Sequence, residues 1–162
     1  MTDRHTTERE PTDRGDGPTP GAAILTAGRI ATVAFTIAAS AAAAAPDRLA
    51  RPVGVFDCLL FLVGIAAFLL AYSRAIGRSR TELVDILGVY FLGGGAAPAH
   101  VRRQLLGAFA VQVVVAVVTA SVRPYTSVAF GILVPMLGLG LAGLWGATHG
   151  TFPSRARAAG DR

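Results

Sequence analysis

The sequence predicts an all-α fold: a four-helix antiparallel transmembrane bundle with a short interfacial or re-entrant helix between spans two and three. Hydrophobic residues make up 52% of the 162-residue chain and charged residues only 15%, whereas soluble domains carry about a quarter charged residues. The apolar residues fall into four blocks, and each block is long enough as a helix to cross about 30 Å of hydrocarbon. Arginines are concentrated at alternate ends of these blocks, which indicates how the chain is threaded.

The two ends of the chain lie outside the predicted membrane domain, which covers residues 21–150. Residues 1–20 mix charged residues with threonine, proline and glycine, a composition that predicts a disordered cytoplasmic tail. Residues 151–162 predict a second, basic cytoplasmic tail. The alanine-rich segment 38–46 resembles the cleavage region of a secretory signal. However, five acidic residues and four arginines lie within the first 29 residues, unlike a short basic leader.

A fifth apolar stretch, within about residues 80–93, is too short to cross a membrane and contains Asp85. It predicts the interfacial or re-entrant helix. Ser79 and Glu82 have the spacing of a capping box at its start, and the glycine run that follows ends it. Arg-Pro pairs precede spans two and four, where proline suits the first helical turn. The four spans themselves are predicted at about residues 24–45, 53–73, 105–122 and 128–148.

The distribution of arginine predicts the orientation. Twelve arginines fall on one side of a four-span protein and three on the other, whereas a fifth crossing by residues 83–101 would divide them eight against seven. The positive-inside rule therefore selects four spans with both termini in the cytoplasm. The absence of lysine and asparagine is typical of GC-rich coding sequence, and we expect the cytoplasmic membrane of a bacterium. Anionic lipid headgroups are the expected partners of the predicted headgroup or cytoplasmic anchors, Arg74, Arg78, Arg80, Arg102 and Arg103.

Polar residues within the predicted bilayer prompt a search for partners. Arg29 lies close enough to the cytoplasmic end to reach the headgroups, and its face of span one is expected to look into the bundle; that face also carries Thr32, Thr36 and Ser40. Gln112 and Thr119 share one strip of span three and predict interhelical hydrogen bonds.

Asp57 near the outer end of span two has three open interpretations. The first is a carboxylate favoured by the dipole at the N-terminus of its helix. The second is an ion pair with Arg51 or Arg123, and the third is a proton or cation site. Helical spacing places Asp57 on the same face as Gly64, Ala67 and Ala71.

Span four carries small residues at spacings of four or seven, which let helix backbones approach closely. The predicted helix-packing or partner face consists of Gly131, Gly138, Ala142 and Gly146. The sequence leaves open whether this face contacts the same chain, a second copy or another membrane protein. Pro135 is expected to kink the span, and Trp145 is expected at the cytoplasmic interface.

The sequence offers no constellation for catalysis, for a metal ion or for a cofactor. The three histidines have no acidic residues at ligand spacing, Cys58 is the single cysteine, and no serine stands in a nucleophile motif. GLGLAG at 138–143 lacks the preceding strand and the lysine of a phosphate loop. Nucleic acid is not an expected partner, because the basic residues form no stripe with interleaved aromatic residues. We therefore predict a non-enzymatic protein without a cofactor.

Two segments, VFDCLLFLVGIAAFLLAYSRAIGRSR (55–80) and AFGILVPMLGLGLAGLWGATHGTFPSR (129–155), cover about a third of the chain. They resemble small, uncharacterised multi-pass integral membrane proteins of GC-rich bacteria, a resemblance that implies membrane location and no function. The chain is also similar to small multidrug exporters in helix number. The membrane-embedded glutamate in the first helix of those exporters has no counterpart here, because this first helix carries Arg29 and no acidic residue.

Three functional hypotheses follow. The leading one is an accessory or scaffold protein that acts through the small residues of span four and the basic cytoplasmic face, as a homo-oligomer or with another membrane protein. The second is a small oligomeric transporter or channel-like protein, with a path lined by Asp57, Gln112 and threonines. The third is binding of anionic lipid headgroups by the cytoplasmic arginines.

Overall fold

The computed structural model describes residues 20–80, 82 and 85–152. All elements of regular secondary structure in this part of the chain are helices. The predicted tails therefore lie outside the described residues, apart from residues 20, 151 and 152. In chain order the elements are α1 Ala22–Ala44, α2 Pro46–Arg78, α3 Ile86–Phe91, α4 Ala99–Val122, a 3-10 helix Ser127–Leu133 and α5 Pro135–His149.

Four helical segments are long and apolar enough to cross a membrane: α1, α2, α4 and the combined segment Ser127–His149. The described chain is thus all-helical with four candidate spans, the architecture of a multi-pass membrane protein. The 33 residues of α2 form a helix of about 50 Å, which exceeds the hydrocarbon thickness. Part of α2 therefore extends beyond the hydrocarbon or the helix is tilted.

Proline positions differ from the sequence-based expectation at two helix starts. Pro46 occupies the first turn of α2, so the predicted connection before residue 53 is helical and Pro52 lies inside the helix. Pro135 begins α5, and the residues before it form a 3-10 helix in place of one kinked span. The ring fixes φ near its helical value and the missing N–H costs nothing in a first turn, so Pro135 restarts the helix.

The start of α3 corrects the predicted capping box. Ser79 has helical dihedrals at the end of α2 and its hydroxyl donates to the Ile76 carbonyl at 2.8 Å, whereas Glu82 accepts from Arg78. Asp85 is the N-cap instead, with extended dihedrals and a side chain that accepts from Gly88 N at 3.0 Å. The capping-box prediction was wrong because α2 remains helical through Arg78, leaving Ser79 without the extended backbone that an N-cap needs.

Hydrogen bonds between helix termini define two ends of the bundle. At the hairpin end, Arg123 Nε donates to the Ala43 carbonyl at 3.2 Å, so the α1–α2 connection lies beside the connection that follows α4. At the terminal end, Trp145 Nε1 donates to the Pro20 carbonyl at 3.1 Å and Arg78 Nη1 donates to the Ala147 carbonyl at 3.1 Å. The start of α1 and the ends of α2 and α5 therefore meet at the terminal end.

Glycines bring α2 and α5 into direct backbone contact, which makes this the most extensive helix pair of the bundle. A Cβ added at Gly64 would lie 2.6 Å from Leu137 N, and one added at Gly140 would overlap the Gly64 carbonyl. Such close approach increases the number of van der Waals contacts, which stabilise helix pairs where lipid supplies no hydrophobic drive.

We predict that Gly64→Ala destabilises the protein by about 1–3 kcal/mol, because the new methyl group overlaps backbone that cannot move aside. The matched control is Gly107→Ala on α4, where an added Cβ meets nothing within 4 Å; there the gain in helix propensity favours folding by up to about 1 kcal/mol. Thermal unfolding of both variants in detergent, followed by circular dichroism, checks this. Equal melting temperatures for the two variants would contradict the packing described above.

Candidate functional site

Asp57 is the buried charged residue of the membrane domain, with 0% of its surface exposed. Its Oδ2 atom lies 3.5 Å from the position that a Cβ on Gly131 would occupy, so the carboxylate faces the backbone of the 3-10 helix. Neither carboxylate oxygen has a hydrogen-bond partner among the described residues. The structure thus holds an acid side chain inside the bundle with no donor to compensate it.

Two of the three interpretations of Asp57 do not describe this geometry. Because α2 begins at Pro46, Asp57 lies about three turns inside the helix, beyond the first turn where the dipole acts. Arg123 donates to Ala43, and neither Arg123 nor Arg51 forms an ion pair or hydrogen bond with the carboxylate.

The surroundings of Asp57 are apolar. Phe35 of α1 is fully buried and its ring lies 3.3 Å from the Cβ position of Gly131, the same glycine that the carboxylate faces. Asp57 is also the only charged residue within the four predicted spans apart from Arg29 at the start of the first.

Gln112 joins three helices by two hydrogen bonds at full burial. Its Nε2 donates to Thr32 Oγ1 of α1 at 2.8 Å, and its Oε1 accepts from Gly138 N of α5 at 3.1 Å. The Thr32 hydroxyl in turn donates to the Gly28 carbonyl at 2.8 Å. The Gly138 N–H belongs to the first turn of α5, where backbone donors lack the full set of intrahelical acceptors. Gln112 thus satisfies a helix terminus in the interior of the bundle.

The small residues of span four contact helices of this same chain. A Cβ at Gly131 would meet Phe35 of α1, one at Gly138 would meet Gln112 and Phe109 of α4, and one at Gly146 would overlap the Val89 carbonyl of α3. Ala142 is completely buried in a cluster with Leu25 and Trp145. The predicted packing face is therefore occupied inside the bundle.

The short helix α3 packs against α2 and α5. The Tyr90 ring stacks on Phe68 with centroids 4.5 Å apart, and its hydroxyl donates to the Phe68 carbonyl at 3.0 Å. Gly143 of α5 leaves room for the tyrosine ring, which a Cβ would overlap. This contact could not be predicted from the sequence, because the glycine and the tyrosine that it accommodates are far apart in the chain.

Arg78 differs from the other arginines at the terminal end. Its Nη1 and Nη2 donate to the Ala147 and Gly150 carbonyls at 3.1 and 2.9 Å, and it also pairs with Glu82 at 2.8 Å. A guanidinium group suits the last turn of α5, where carbonyls lack intrahelical donors and the dipole favours a positive charge. Arg74, Arg80, Arg102 and Arg103 are exposed.

Of the remaining polar residues predicted to lie within the bilayer, some are buried in the bundle and others are exposed on its surface. Thr119 is buried and donates to the Val115 carbonyl of its own helix at 2.8 Å. Arg29 and Ser40 are exposed, and only Thr32 of the predicted polar face is buried. The expectation that this face looks into the bundle was wrong for Arg29 and Ser40, because the buried face of α1 contains Gly28, Phe35 and Ala39. Trp145 is 2% exposed, bonded to Pro20 and stacked on His149.

Comparison of the chain with protein-family models, curated proteins and solved structures gave no match. The candidate site therefore stands on its own geometry. Its central members are Asp57, which faces Gly131, and the Gln112 network that fixes the first turn of α5.

We predict that Gln112→Met lowers the free energy of unfolding by about 1–3 kcal/mol, because it removes the acceptor of the Gly138 N–H and the donor to Thr32. The matched control is Gln104→Met, since Gln104 donates only one bond, to the Leu25 carbonyl at 3.3 Å in a half-buried position. Unfolding of each variant in mixed detergent micelles gives the two free energies. An equal loss of unfolding free energy in the two variants would show that the Gln112 hydrogen bonds stabilise the protein no more than the single Gln104 bond.

We predict that Arg78→Gln increases hydrogen exchange in residues 144–152, because the last carbonyls of α5 lose their donors. Arg80→Gln, which changes an exposed arginine two residues away, should leave that exchange unaltered. Hydrogen–deuterium exchange with mass spectrometry compares the peptide in both variants. Unchanged protection in Arg78→Gln would show that the guanidinium does not hold this terminus.

Proposed function

We propose that the protein is a small, non-enzymatic membrane transporter of protons in which Asp57 binds and releases the proton. The observation that carries this proposal is the complete burial of the carboxyl group without any hydrogen-bond partner among the described residues. An ionisable side chain inside a membrane domain costs roughly 2.5–3.5 kcal/mol at mid-depth on insertion scales. A neutral packing residue would avoid that cost, so the carboxyl group needs a role that its chemistry supplies.

A proton fits this site better than a metal ion. The described residues include no group of three or more histidine, cysteine, aspartate or glutamate side chains close enough to hold a metal, whereas Ca²⁺ and Mg²⁺ take six or more oxygen ligands. An apolar site with Phe35 beside it favours the uncharged acid over an unpaired ion. Proton binding supplies that neutral form, and release requires the site to contact water.

Proton release is a covalent step confined to one group. The O–H bond of the Asp57 carboxyl group breaks, the proton passes to a water molecule, and the carboxylate keeps the electron pair. Binding reverses these changes. The protein carries one proton at a time, because no second acidic residue lies within the predicted spans.

The scaffold hypothesis receives less support from the geometry. Its proposed contact face is filled by α1, α3 and α4 of the same chain, since Gly131, Gly138 and Gly146 already accommodate neighbouring atoms. A partner would have to use the outward apolar residues of α1 and α4, such as Ile30, Val33 and Val114, which are equally suited to lipid tails.

The proposal includes an antiparallel arrangement in the bacterial cytoplasmic membrane with both chain termini in the cytoplasm. Contacts at the hairpin end and at the terminal end support the alternation of direction. The exposed arginines at the terminal end support its cytoplasmic side and contact with anionic headgroups. A partly re-entrant α3 is supported by the hydrogen bond from Tyr90 to the Phe68 carbonyl. Phe68 lies ten residues, or about 15 Å, before the end of α2.

We predict that purified protein in proteoliposomes carries protons when a valinomycin potassium potential drives them, and that Asp57→Asn abolishes this flux. The asparagine has nearly the same shape but cannot ionise. A pH-sensitive dye trapped inside the vesicles reports the proton directly.

The matched control is Asp47→Asn, which removes an exposed acid from the first turn of the same helix and should conduct like the parent. Equal melting temperatures of parent and Asp57→Asn establish that loss of flux is not loss of fold. No proton flux in the parent, or parental flux in Asp57→Asn, would set the proposal aside.

A further inference from the structure

A groove of about 380 Å³ opens between α2 and the 3-10 helix near the hairpin end. Val55, Leu59 and Phe130 give it apolar walls, and all three side chains are at least half exposed on the outer surface of the bundle. Because these residues belong to candidate spans, the groove faces the lipid. It lies beside the candidate site and does not include Asp57.

Polar groups meet the groove only toward the hairpin end. Arg51 and Ser127 line it there, and the Arg51 side chain is exposed and forms no ion pair or hydrogen bond with the described residues. Leu59 lies eight residues further along α2, about 12 Å deeper into the membrane. The groove therefore has one cationic, hydrogen-bonding mouth and an apolar body that runs inward from it.

Gly54 lines the groove at the point where α2 and the 3-10 helix touch. A Cβ at this position would lie 3.0 Å from Ser127 Cβ and 3.4 Å from the Phe130 ring. The missing side chain thus lets the two elements approach closely, and Val55 and Phe130 remain exposed beside this contact. Cys58, one turn further on, is half-buried and also lines the wall.

We propose that this groove binds one anionic phospholipid, with its phosphate on Arg51 and Ser127 and one acyl chain along Val55, Leu59 and Phe130. Guanidinium groups form charge-assisted hydrogen bonds with phosphate oxygens, and no carboxylate is among the residues that line the groove. The charge of the mouth selects an anionic headgroup, and the apolar walls exclude a free phosphate or a polar peptide. This site differs from the cytoplasmic arginines in lying at the opposite end of the bundle.

The test uses the full-length protein in bilayers of phosphatidylcholine with a trace of photoactivatable phosphatidylglycerol whose acyl chain carries a diazirine. After illumination and digestion, we expect crosslinks on residues 54–59 and 127–130. Arg51→Gln should lower this crosslinking about fivefold, the effect of losing roughly one favourable arginine contact with an anionic lipid. Arg48→Gln, an exposed arginine one turn earlier, is the matched control and should crosslink like the parent.

A second variant tests the apolar half of the groove. Cys58→Phe places a ring in the wall and should reduce crosslinking of phosphatidylglycerol and of an equivalent phosphatidylcholine probe alike. Circular dichroism establishes that each variant remains folded. Equal labelling by the two probes in the parent, or unchanged labelling in Arg51→Gln, would overturn the anionic site. Labelling spread evenly over the outer surface would overturn the groove itself.

Discussion

The hydrogen bonds of Gln112 hold the bundle together where its fourth span is interrupted. Pro135 has no N–H and begins a new helix within a membrane segment, so first-turn donors of α5 lie where no water can satisfy them. Gln112 accepts from one of these donors and donates to Thr32. The rotation of α1, α4 and α5 about their own axes follows from these two bonds, because each helix must present a particular atom to the same side chain.

Close contact between backbones follows from the same constraint. The interrupted span brings two differently wound segments against α2, and the glycines at 54, 64 and 140 let both approach. Gly131 then leaves the carboxylate of Asp57 against bare backbone, with Phe35 alongside. The buried acid is therefore part of the packing of the 3-10 helix and cannot be separated from it. Movement of that helix is the structural change best placed to alter the surroundings of the carboxyl group.

Some arginines at the helix termini donate to backbone carbonyls and others are exposed, a difference that counting charges does not reveal. Arg78 at one end and Arg123 at the other donate to carbonyls of a neighbouring helix, whereas Arg74 and Arg80 are exposed. Arg74, Arg78 and Arg80 contribute equally to the cytoplasmic side of the positive-inside count, although only Arg78 of the three donates to another helix. Only the register between helices decides which guanidinium meets a carbonyl terminus, and that register is a tertiary property.

Block length and helical spacing were enough to predict four spans and to place Asp57 and Ala71 on one face of α2, because both are local properties of one helix. That this face is buried is a finding of the structure. The 3-10 helix before Pro135 was not predictable, since its geometry depends on contact with Gly54 of another span. The buried face of α1 was misjudged for a similar reason: the polar stripe through Arg29 and the small-residue stripe through Gly28 overlap, and only packing against Leu105 and Leu141 selects the second. Asp85, in contrast, could have been predicted as an N-cap from its residue type.

The protonation of Asp57 in a lipid bilayer tests the central claim most directly. Infrared difference spectra between the parent and Asp57→Asn isolate the carboxyl group from the rest of the protein. A protonated carboxylic acid band that shifts in deuterated water is the predicted result, because the group is buried without a donor and yet exchanges its proton. An ionised carboxylate signal, or a carboxylic acid band that never shifts, would contradict the claim that this buried acid binds and releases a proton.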